Sequence, residues 1–237
     1  MKGIEIFKDR LTQIEENIFE VEGLRRGDYD AQAVQYDRLI SNGIYNRIMW
    51  GNSPGNYESF CRKALQDNDN RTIADIGCGT LSFTHSVYAE NHSKDLFLCD
   101  LSYEMLKIGK NRIEKKRPDL TGITFLRSNA LEMPFREEVL DTVLSFGILH
   151  IFETPSDLLK EFRRIVKPGG RIYLTSLCTD RKFSARYLNL LEKKGHVAKP
   201  LSSGEIRGLI EENGFVVDEF RTRGGMVYVN GIRKAGK

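Results

Sequence analysis

The central part of the chain alternates short apolar runs with segments of helical periodicity. This alternation, which begins near Arg71, is typical of a parallel sheet built from βα units. Strands are predicted at residues 72–76, 96–99, 123–126, 142–146 and 171–176. Between them, apolar residues recur every three or four positions, which predicts helices near residues 82–90, 102–116 and 155–166.

The pattern changes after Ser176. Two helical stretches follow, at residues 183–194 and 202–213, and two apolar runs, 215–221 and 226–229, then flank the turn Gly224-Gly225. This arrangement predicts a terminal hairpin. The predicted fold class is therefore α/β, with a doubly wound, mostly parallel sheet that ends in an antiparallel hairpin. An ordinary dinucleotide-binding fold would instead continue with parallel βα units.

The N-terminal segment has a helical pattern of its own. Apolar residues at steps of four and three predict an amphipathic helix, and they are Phe7, Leu11, Ile14, Ile18 and Val21. A second helical stretch at residues 30–50 ends at a breaker cluster, residues 51–55. We therefore predict an N-terminal helical cap or lid over residues 1–55 and a main domain over residues 56–237, with a substrate-side insert at about 178–200. The first helix either packs on the main domain or forms a homodimer contact.

Composition narrows the class of protein. Hydrophobic residues make up 40% of the 237 and charged residues 29%, which is typical of a soluble globular chain. The N-terminus lacks the apolar core of a signal peptide, and no window holds 18 apolar residues, so we expect a cytoplasmic protein without a membrane partner. The 36 basic and 33 acidic residues are spread along the chain, which is weak support for a nucleic-acid partner. The four cysteines are too widely spaced for a metal site.

The strongest chemical signal is the glycine-rich turn Gly77-Cys78-Gly79, which joins a predicted strand to a helix. Glycines accept unusual backbone angles and allow a ligand to approach the backbone, and the following helix offers free N–H groups. Asp75, just before the turn, suits a cationic amino group and would repel a pyrophosphate. The turn therefore argues against NAD, although a glycine-rich turn alone is a weak motif.

The ends of the following strands carry groups that suit a nucleoside. Asp100 can accept hydrogen bonds from both ribose hydroxyls, as acids at this position do in dinucleotide folds. Leu101 and Met105 are placed to lie beside an adenine ring, and Asn129 can accept a hydrogen bond from an adenine amine. The fourth strand ends at Phe146. Ligands of open parallel sheets bind at these carboxyl ends.

Together these motifs resemble the class I methyltransferases that depend on S-adenosylmethionine (SAM), in particular the small-molecule group that includes the ubiquinone and menaquinone biosynthesis enzymes. Residues 33–37, with Ala33, Tyr36 and Asp37, are similar to that group's A-x-x-Y-D motif, and residues 166–171 are similar to its turn into strand five. The resemblance implies a Rossmann-like fold, SAM as cofactor, S-adenosylhomocysteine as product, and a small organic methyl acceptor.

The resemblance also implies residue roles. Gly77 and Gly79 would hold the methionyl part of the cofactor, and Tyr36 would close over it from the lid. The full set of implied cofactor residues is Tyr36, Asp75, Gly77, Cys78, Gly79, Asp100, Leu101, Met105, Asn129, Ala130 and Phe146. Two positions depart from the family pattern, since Leu81 stands where glycine is usual and Asn129 where aspartate is frequent. Both departures bear on the affinity for the cofactor rather than on its identity.

Methyl transfer from a sulfonium needs positioning more than acid–base chemistry. If a base exists, His150 after the fourth strand is the candidate, and a structural histidine is the alternative. The acceptor is expected under the lid, residues 29–50, and against the insert, whose apolar surface is assigned to Tyr187, Leu188, Leu190 and Leu191. No D/N-P-P-Y/F motif follows the fourth strand, which favours a small molecule over nucleic acid. A SAM-binding regulatory or scaffolding protein remains the main alternative.

Overall fold

The computed structural model describes residues 6–24, 41–67, 71–90 and 95–235. Its strands are β1 (Leu11–Glu15), β2 (Ile18–Val21), β3 (Ile73–Ile76), β4 (Leu96–Asp100), β5 (Ile123–Arg127), β6 (Leu140–Phe146), β7 (Val166–Leu177), β8 (Phe215–Arg223) and β9 (Met226–Arg233). Its helices are α1 (Gly43–Tyr45, continued by a π-helical turn Asn46–Trp50), α2 (Pro54–Gln66), α3 (His85–Glu90), α4 (Tyr103–Glu114), α5 (Pro155–Ile165), α6 (Lys182–Lys193) and α7 (Ser203–Glu212). Tyr36 and the lid residues before Ser41 lie outside the described residues.

The nine strands form one sheet in the order β1-β2-β5-β4-β3-β6-β7-β9-β8. Strands β2 to β7 run parallel, whereas β9 lies antiparallel between β7 and β8. The predicted doubly wound sheet with a terminal antiparallel hairpin is therefore confirmed. The chain leaves β3 toward β4 on one side and later returns to β6 on the other, so the strand order reverses at β3. Ligands of open α/β sheets bind at such a switch point, outside the carboxyl ends of the strands.

The helix predicted from the apolar residues between Phe7 and Val21 is wrong. This segment forms the hairpin β1–β2, whose second strand pairs in parallel with β5, with Ile18 opposite Phe125. Asn17 supports the turn in a left-handed conformation, φ 60°, which asparagine tolerates better than most residues. The spacing of the apolar residues matched a helical period, but the open edge of β5 supplies the backbone partners that favour a strand. The homodimer contact was considered for a helix in this segment, and the segment forms no helix.

Side chains anchor the hairpin to the main sheet. Arg127 at the end of β5 donates to the Glu20 carboxylate at 2.8 Å, and both side chains are largely buried. The Tyr103 hydroxyl donates to Glu15 at 2.8 Å, and Lys110 donates to the same carboxylate at 3.1 Å. These bonds lower the pKa of Glu15 below its usual range. The hairpin is thus held by charge as well as by strand pairing.

Helix α2 has no counterpart among the predicted helices, and it begins inside the breaker cluster at residues 51–55. Pro54 stands in its first turn, where proline is favoured because its missing N–H would have no partner there. Its inner face buries Phe60, Cys61, Ala64 and Leu65 against the sheet. No helix within the described ranges combines the length and the apolar character that a membrane span requires.

Leu81 follows the glycine-rich turn and lies in the left-handed region, φ 56°, with its side chain almost fully buried. This conformation is strained for a residue with a branched side chain. Space for it comes from Gly109 on α4, since a Cβ on Gly109 would lie 3.0 Å from Leu81 Cγ and 3.5 Å from the Gly79 carbonyl oxygen. A glycine on the neighbouring helix therefore compensates for a leucine in the turn.

We expect Gly109→Ala to lower the free energy of unfolding by about 1–3 kcal/mol, because the new methyl group overpacks against Leu81. In a Leu81→Gly background the same change should cost nothing, or gain up to about 1 kcal/mol from the higher helix propensity of alanine. Urea unfolding of the four proteins measures this coupling. Simple additivity of the two substitutions would contradict the compensation.

Candidate functional site

The glycine-rich turn is tied to the end of the neighbouring strand. Gly77 and Gly79 both have positive φ, 72° and 57°, so the turn requires residues without a Cβ or strained ones. The N–H groups of Gly77 and Cys78 donate to the Cys99 carbonyl at 2.8 and 3.0 Å. Burial raises the pKa of the Cys78 and Cys99 thiols, which makes them poor nucleophiles. Cys78 contributes its backbone N–H to the turn.

Asp100 links the turn to helix α4. Its Oδ2 accepts the Gly79 N–H at 2.8 Å, and its Oδ1 accepts the Ser102 N–H at 2.9 Å. The side chain is only partly buried. A carboxylate accepts about four hydrogen bonds in all, so both of its backbone contacts are compatible with further donors such as ribose hydroxyls.

The predicted adenine neighbours lie on the same edge. Ser102 caps α4 by accepting the Met105 N–H at 3.2 Å, and Met105 Sδ lies 3.9 Å from the position of a Cβ on Gly79. Arg127 donates to the Leu101 carbonyl at 3.0 Å, which holds the loop between β4 and α4. Leu101 and Met105 are both partly exposed beside the turn.

Asp75 is buried behind the turn. Its Oδ2 accepts a hydrogen bond from the fully buried Tyr88 hydroxyl at 2.7 Å, whereas its Oδ1 has no hydrogen-bond partner among the described residues. The pKa of Asp75 is raised to about 7, mainly by burial; the hydrogen bond from Tyr88 opposes the shift and the charge of Asp100 adds to it. A buried carboxylate oxygen without a donor is costly, and a cationic amino group would satisfy it.

The remaining predicted residues follow β5 and β6. Asn129 Oδ1 accepts the Leu131 N–H at 3.0 Å, and Ala130 packs on the core. Phe146 ends β6, partly buried, with its ring 5.9 Å from that of Phe60. One contributor was missed: Ile148, after β6, lies so close to Gly77 that a Cβ there would be 2.6 Å from Ile148 Cγ2. Ile148 thus covers the turn, a contact between distant segments that no local pattern reveals.

His150 lines a cleft of about 100 Å³ between β7 and the loop after α6. Its Nδ1 accepts the Leu177 N–H at 3.4 Å and lies 3.5 Å from Ser176 Oγ. The surrounding protein lowers the pKa of His150 to about 4. An imidazole of this pKa whose Nδ1 is an acceptor is neutral at pH 7, carries its proton on Nε2, and accepts a further proton poorly.

Helices α1 and α6 meet through an aromatic cluster of Tyr45, Trp50 and Tyr187. The Trp50 and Tyr187 rings are 5.3 Å apart, and the Tyr45 and Tyr187 hydroxyls are 3.1 Å apart. The end of the predicted lid and the predicted insert are therefore in contact. Within the insert, Leu188 is buried and Leu191 packs on the core, but Leu190 is 47% exposed and lies on the outer side of α6.

Backbone contacts that sequence reasoning missed fasten α1 in place. Arg181 donates to the Ile48 carbonyl at 3.0 Å, and Ser184 donates to the Met49 carbonyl at 2.8 Å. The Gly225 N–H donates to the Trp50 carbonyl at 2.7 Å. A Cβ on the adjacent Gly224 would lie 2.1 Å from that carbonyl oxygen, so only glycine fits this turn.

The predicted cofactor residues that the structure describes lie at the carboxyl ends of β3 to β6 or in the loops that follow them, except Met105, which lies in the first turn of α4. Tyr36 falls outside the described residues. Within the described part of the chain, no three His, Cys, Asp or Glu side chains are placed to hold a metal ion together.

Comparison with known proteins agrees with this geometry. The family model described as a methyltransferase domain matches residues 74–174. The demethylmenaquinone methyltransferase of Paenarthrobacter aurescens (strain TC1) is 29% identical over 147 residues, which cover 62% of this chain and 52% of that protein. The chain spans about half the length of the curated relatives it matches.

Solved structures show the same fold. A chain in the complex between the Haloferax volcanii Trm112 methyltransferase activator and a methyltransferase superposes with a TM-score of 0.67 at 19% identity, covering 90% of this chain and 100% of that one. The geranyl diphosphate C-methyltransferase of Streptomyces coelicolor A3(2), solved with S-adenosyl-L-homocysteine, gives 0.62 at 16% identity and covers 76% of each chain. The chain therefore has the fold of class I SAM-dependent methyltransferases, and over residues 74–174 it matches a methyltransferase domain and resembles the menaquinone biosynthesis enzymes.

Proposed function

We propose that this protein transfers the methyl group of SAM to a small organic acceptor by in-line displacement and releases S-adenosylhomocysteine. The observation that carries the proposal is the joint position of Asp75, the Gly77–Gly79 turn and Asp100 at the switch point of the sheet. A pyrophosphate would meet the negative charge of Asp75 behind the turn, whereas an amino acid moiety brings a positive charge to it.

The residues present fit the cofactor. The partnerless Asp75 Oδ1 supports recognition of the methionyl amino group. Asp100 suits the two ribose hydroxyls, because it is partly exposed and already rigidly held by Gly79 and Ser102. Adenine would then lie between Leu101 and Met105 on one side and the Asn129–Ala130 segment on the other, with Phe146 near the methionyl part and Tyr36 closing from the lid.

When bound, the cofactor supplies a methyl group on a sulfonium that is already activated. The protein then needs to align the acceptor and exclude water. We assign the first task to the surface that Tyr45, Trp50 and Tyr187 form between α1 and α6. His150 is neutral and carries its proton on Nε2. It is therefore better suited to donate a hydrogen bond to the acceptor than to act as a general base.

Calorimetric titration with SAM, S-adenosylhomocysteine and NAD tests the cofactor. We expect both sulfur compounds to bind and NAD not to bind. Asp100→Asn should weaken the binding of both sulfur compounds by about 10- to 100-fold, because the ribose loses a hydrogen bond to a charged carboxylate. The matched control is Asp157→Asn, because Asp157 is an exposed acid on α5 that forms an ion pair with Lys160.

Asp100 also holds the turn, so the ribose contact needs its own measurement. The wild type should bind a 2′-deoxy analogue of S-adenosylhomocysteine more weakly than S-adenosylhomocysteine itself. The Asp100→Asn variant should bind both compounds with equal affinity. Absence of binding by either sulfur compound to a folded sample would refute the proposed function. Tight binding without turnover over a broad acceptor screen would favour the regulatory alternative.

The raised pKa of Asp75 predicts proton release on cofactor binding. A cationic amino group favours the ionised carboxylate, so the affinity should fall by up to about tenfold per pH unit as the pH drops below 7. Without cofactor, this carboxyl should make the folded state less stable as the pH rises from 3.8 to about 7, because the unfolded chain ionises it first. Titration in two buffers of different ionisation enthalpy measures the proton release, and Asp75→Asn should abolish it.

The lowered pKa of His150 predicts that its imidazole stays neutral down to about pH 5, which an NMR pH titration measures directly. His150→Gln should reduce turnover by less than the about 100-fold expected for loss of a general base. The opposite result would be a wild-type kcat that changes with pH near pH 6–7 and no longer does so in His150→Gln. That result would show that His150 accepts the proton.

A further inference from the structure

Helices α1 and α6 expose large apolar side chains that fill no internal space. The described residues include eight such side chains, and four of them lie on these two short helices. They are Ile44 (72% exposed), Ile48 (55%), Phe183 (49%) and Leu190 (47%). Scattered single apolar residues on a surface need no explanation, but a concentration of this kind marks an interaction site.

Each pair of side chains shares one face of its helix, and the two helices are in contact. On α6, Phe183 and Leu190 are seven positions apart, two helical turns, and so share a face, while Ser184 and Leu188 are buried on the opposite side. On α1, Ile44 and Ile48 are four positions apart and also share a face. The Arg181 guanidinium joins the helices, because it donates to the Ile48 carbonyl and lies 5.5 Å from the centre of the Phe183 ring.

The same surface is strongly basic. With their capping residues, the two helices carry six basic side chains and one acidic one, Glu192, although the whole chain has a net charge of only +3. The basic residues are Arg47, Arg181, Lys182, Arg186, Lys193 and Lys194. None of the six forms an ion pair with another described residue. The acid that precedes them, Asp180, accepts the N–H of Ser203.

We propose that this face, made by α1 and α6, docks on the surface of an anionic lipid bilayer. Exposed Phe, Leu and Ile side chains would enter the boundary between headgroups and acyl chains, and the surrounding cations would pair with lipid phosphates, as in interfacial amphipathic helices. The sequence-based expectation of no membrane partner considered spanning and signal segments only. The docking surface needs neither, and it does not depend on methyl transfer.

The balance of apolar and basic groups favours lipid over other anionic partners. A nucleic acid would use the cations, but it offers nothing to bury the aliphatic side chains of Ile44, Ile48 and Leu190, and a nonspecific single strand is bound mainly by aromatic stacking. A second copy of this chain would bring the same positive charge to the interface, and like charges would oppose the contact. A bilayer with anionic headgroups satisfies both components at once.

Vesicle flotation with the full-length protein tests the proposal without any cofactor. The probes are vesicles of phosphatidylcholine alone and of phosphatidylcholine mixed with phosphatidylserine. We expect binding to the mixed vesicles only, weakened by added salt because the ionic part is screened. Phe183→Ser/Leu190→Ser should lower the partition coefficient by about tenfold or more, since two apolar side chains lose their burial in the interface. Lys182→Glu/Arg186→Glu should abolish the preference for phosphatidylserine.

Matched controls use exposed residues outside the two helices. Val216→Ser on β8 removes an apolar side chain that is 50% exposed, and Lys115→Glu/Lys116→Glu reverses two exposed charges after α4. Neither should change vesicle binding, and thermal unfolding confirms that every variant is folded. Equal binding by wild type and both α6 variants, or none by the wild type, would overturn the proposal. So would a wild-type dimer that Phe183→Ser/Leu190→Ser dissociates, or binding to RNA but not to vesicles.

Discussion

The carboxylate of Asp100 and the Cys99 carbonyl hold together the three elements on which the site depends. Backbone N–H groups from the turn after β3 converge on these two acceptors at the end of β4, and the first turn of α4 shares the same carboxylate. Each bond is modest by itself, but together they set the spacing between two parallel strands and a helix N-terminus. The backbone of the glycine-rich turn is therefore held in place by the neighbouring strand end.

This arrangement explains how the turn accepts a leucine. Strain at Leu81 is tolerated because its side chain enters the gap left by Gly109. This exchange keeps the interface between the turn and α4 packed.

Behind and beside the turn, burial sets the protonation states that the proposed chemistry would use. Burial raises the pKa of Asp75 to about 7, and its Oδ1 has no hydrogen-bond partner among the described residues, so the carboxyl group responds to a cation. Burial lowers the pKa of His150 to about 4, so its ring is neutral at pH 7. A site with a responsive anion and a neutral donor suits the binding of a sulfonium amino acid and the orientation of an acceptor. The aromatic contacts of α1 and α6 then connect this interior to the apolar and basic face outside.

The sequence by itself determined the central sheet, the terminal hairpin and the placement of the candidate cofactor residues near the strand ends. Buried parallel strands are continuously apolar and glycine-rich turns have few alternatives, so local composition already specifies them. Asp100 and Asn129 could be placed because parallel strands bring their carboxyl ends to one edge.

Only the tertiary structure decided the rest. Residues 11–21 became a hairpin because the edge of β5 was open to pair with them, a fact about another segment. Ile148 over Gly77, the fastening of Trp50 by Gly225, and the outward position of Leu190 are likewise contacts between distant parts of the chain. Periodicity reports how a segment can bury its own apolar residues, whereas the partner that buries them, or leaves them exposed, exists only in the assembled fold.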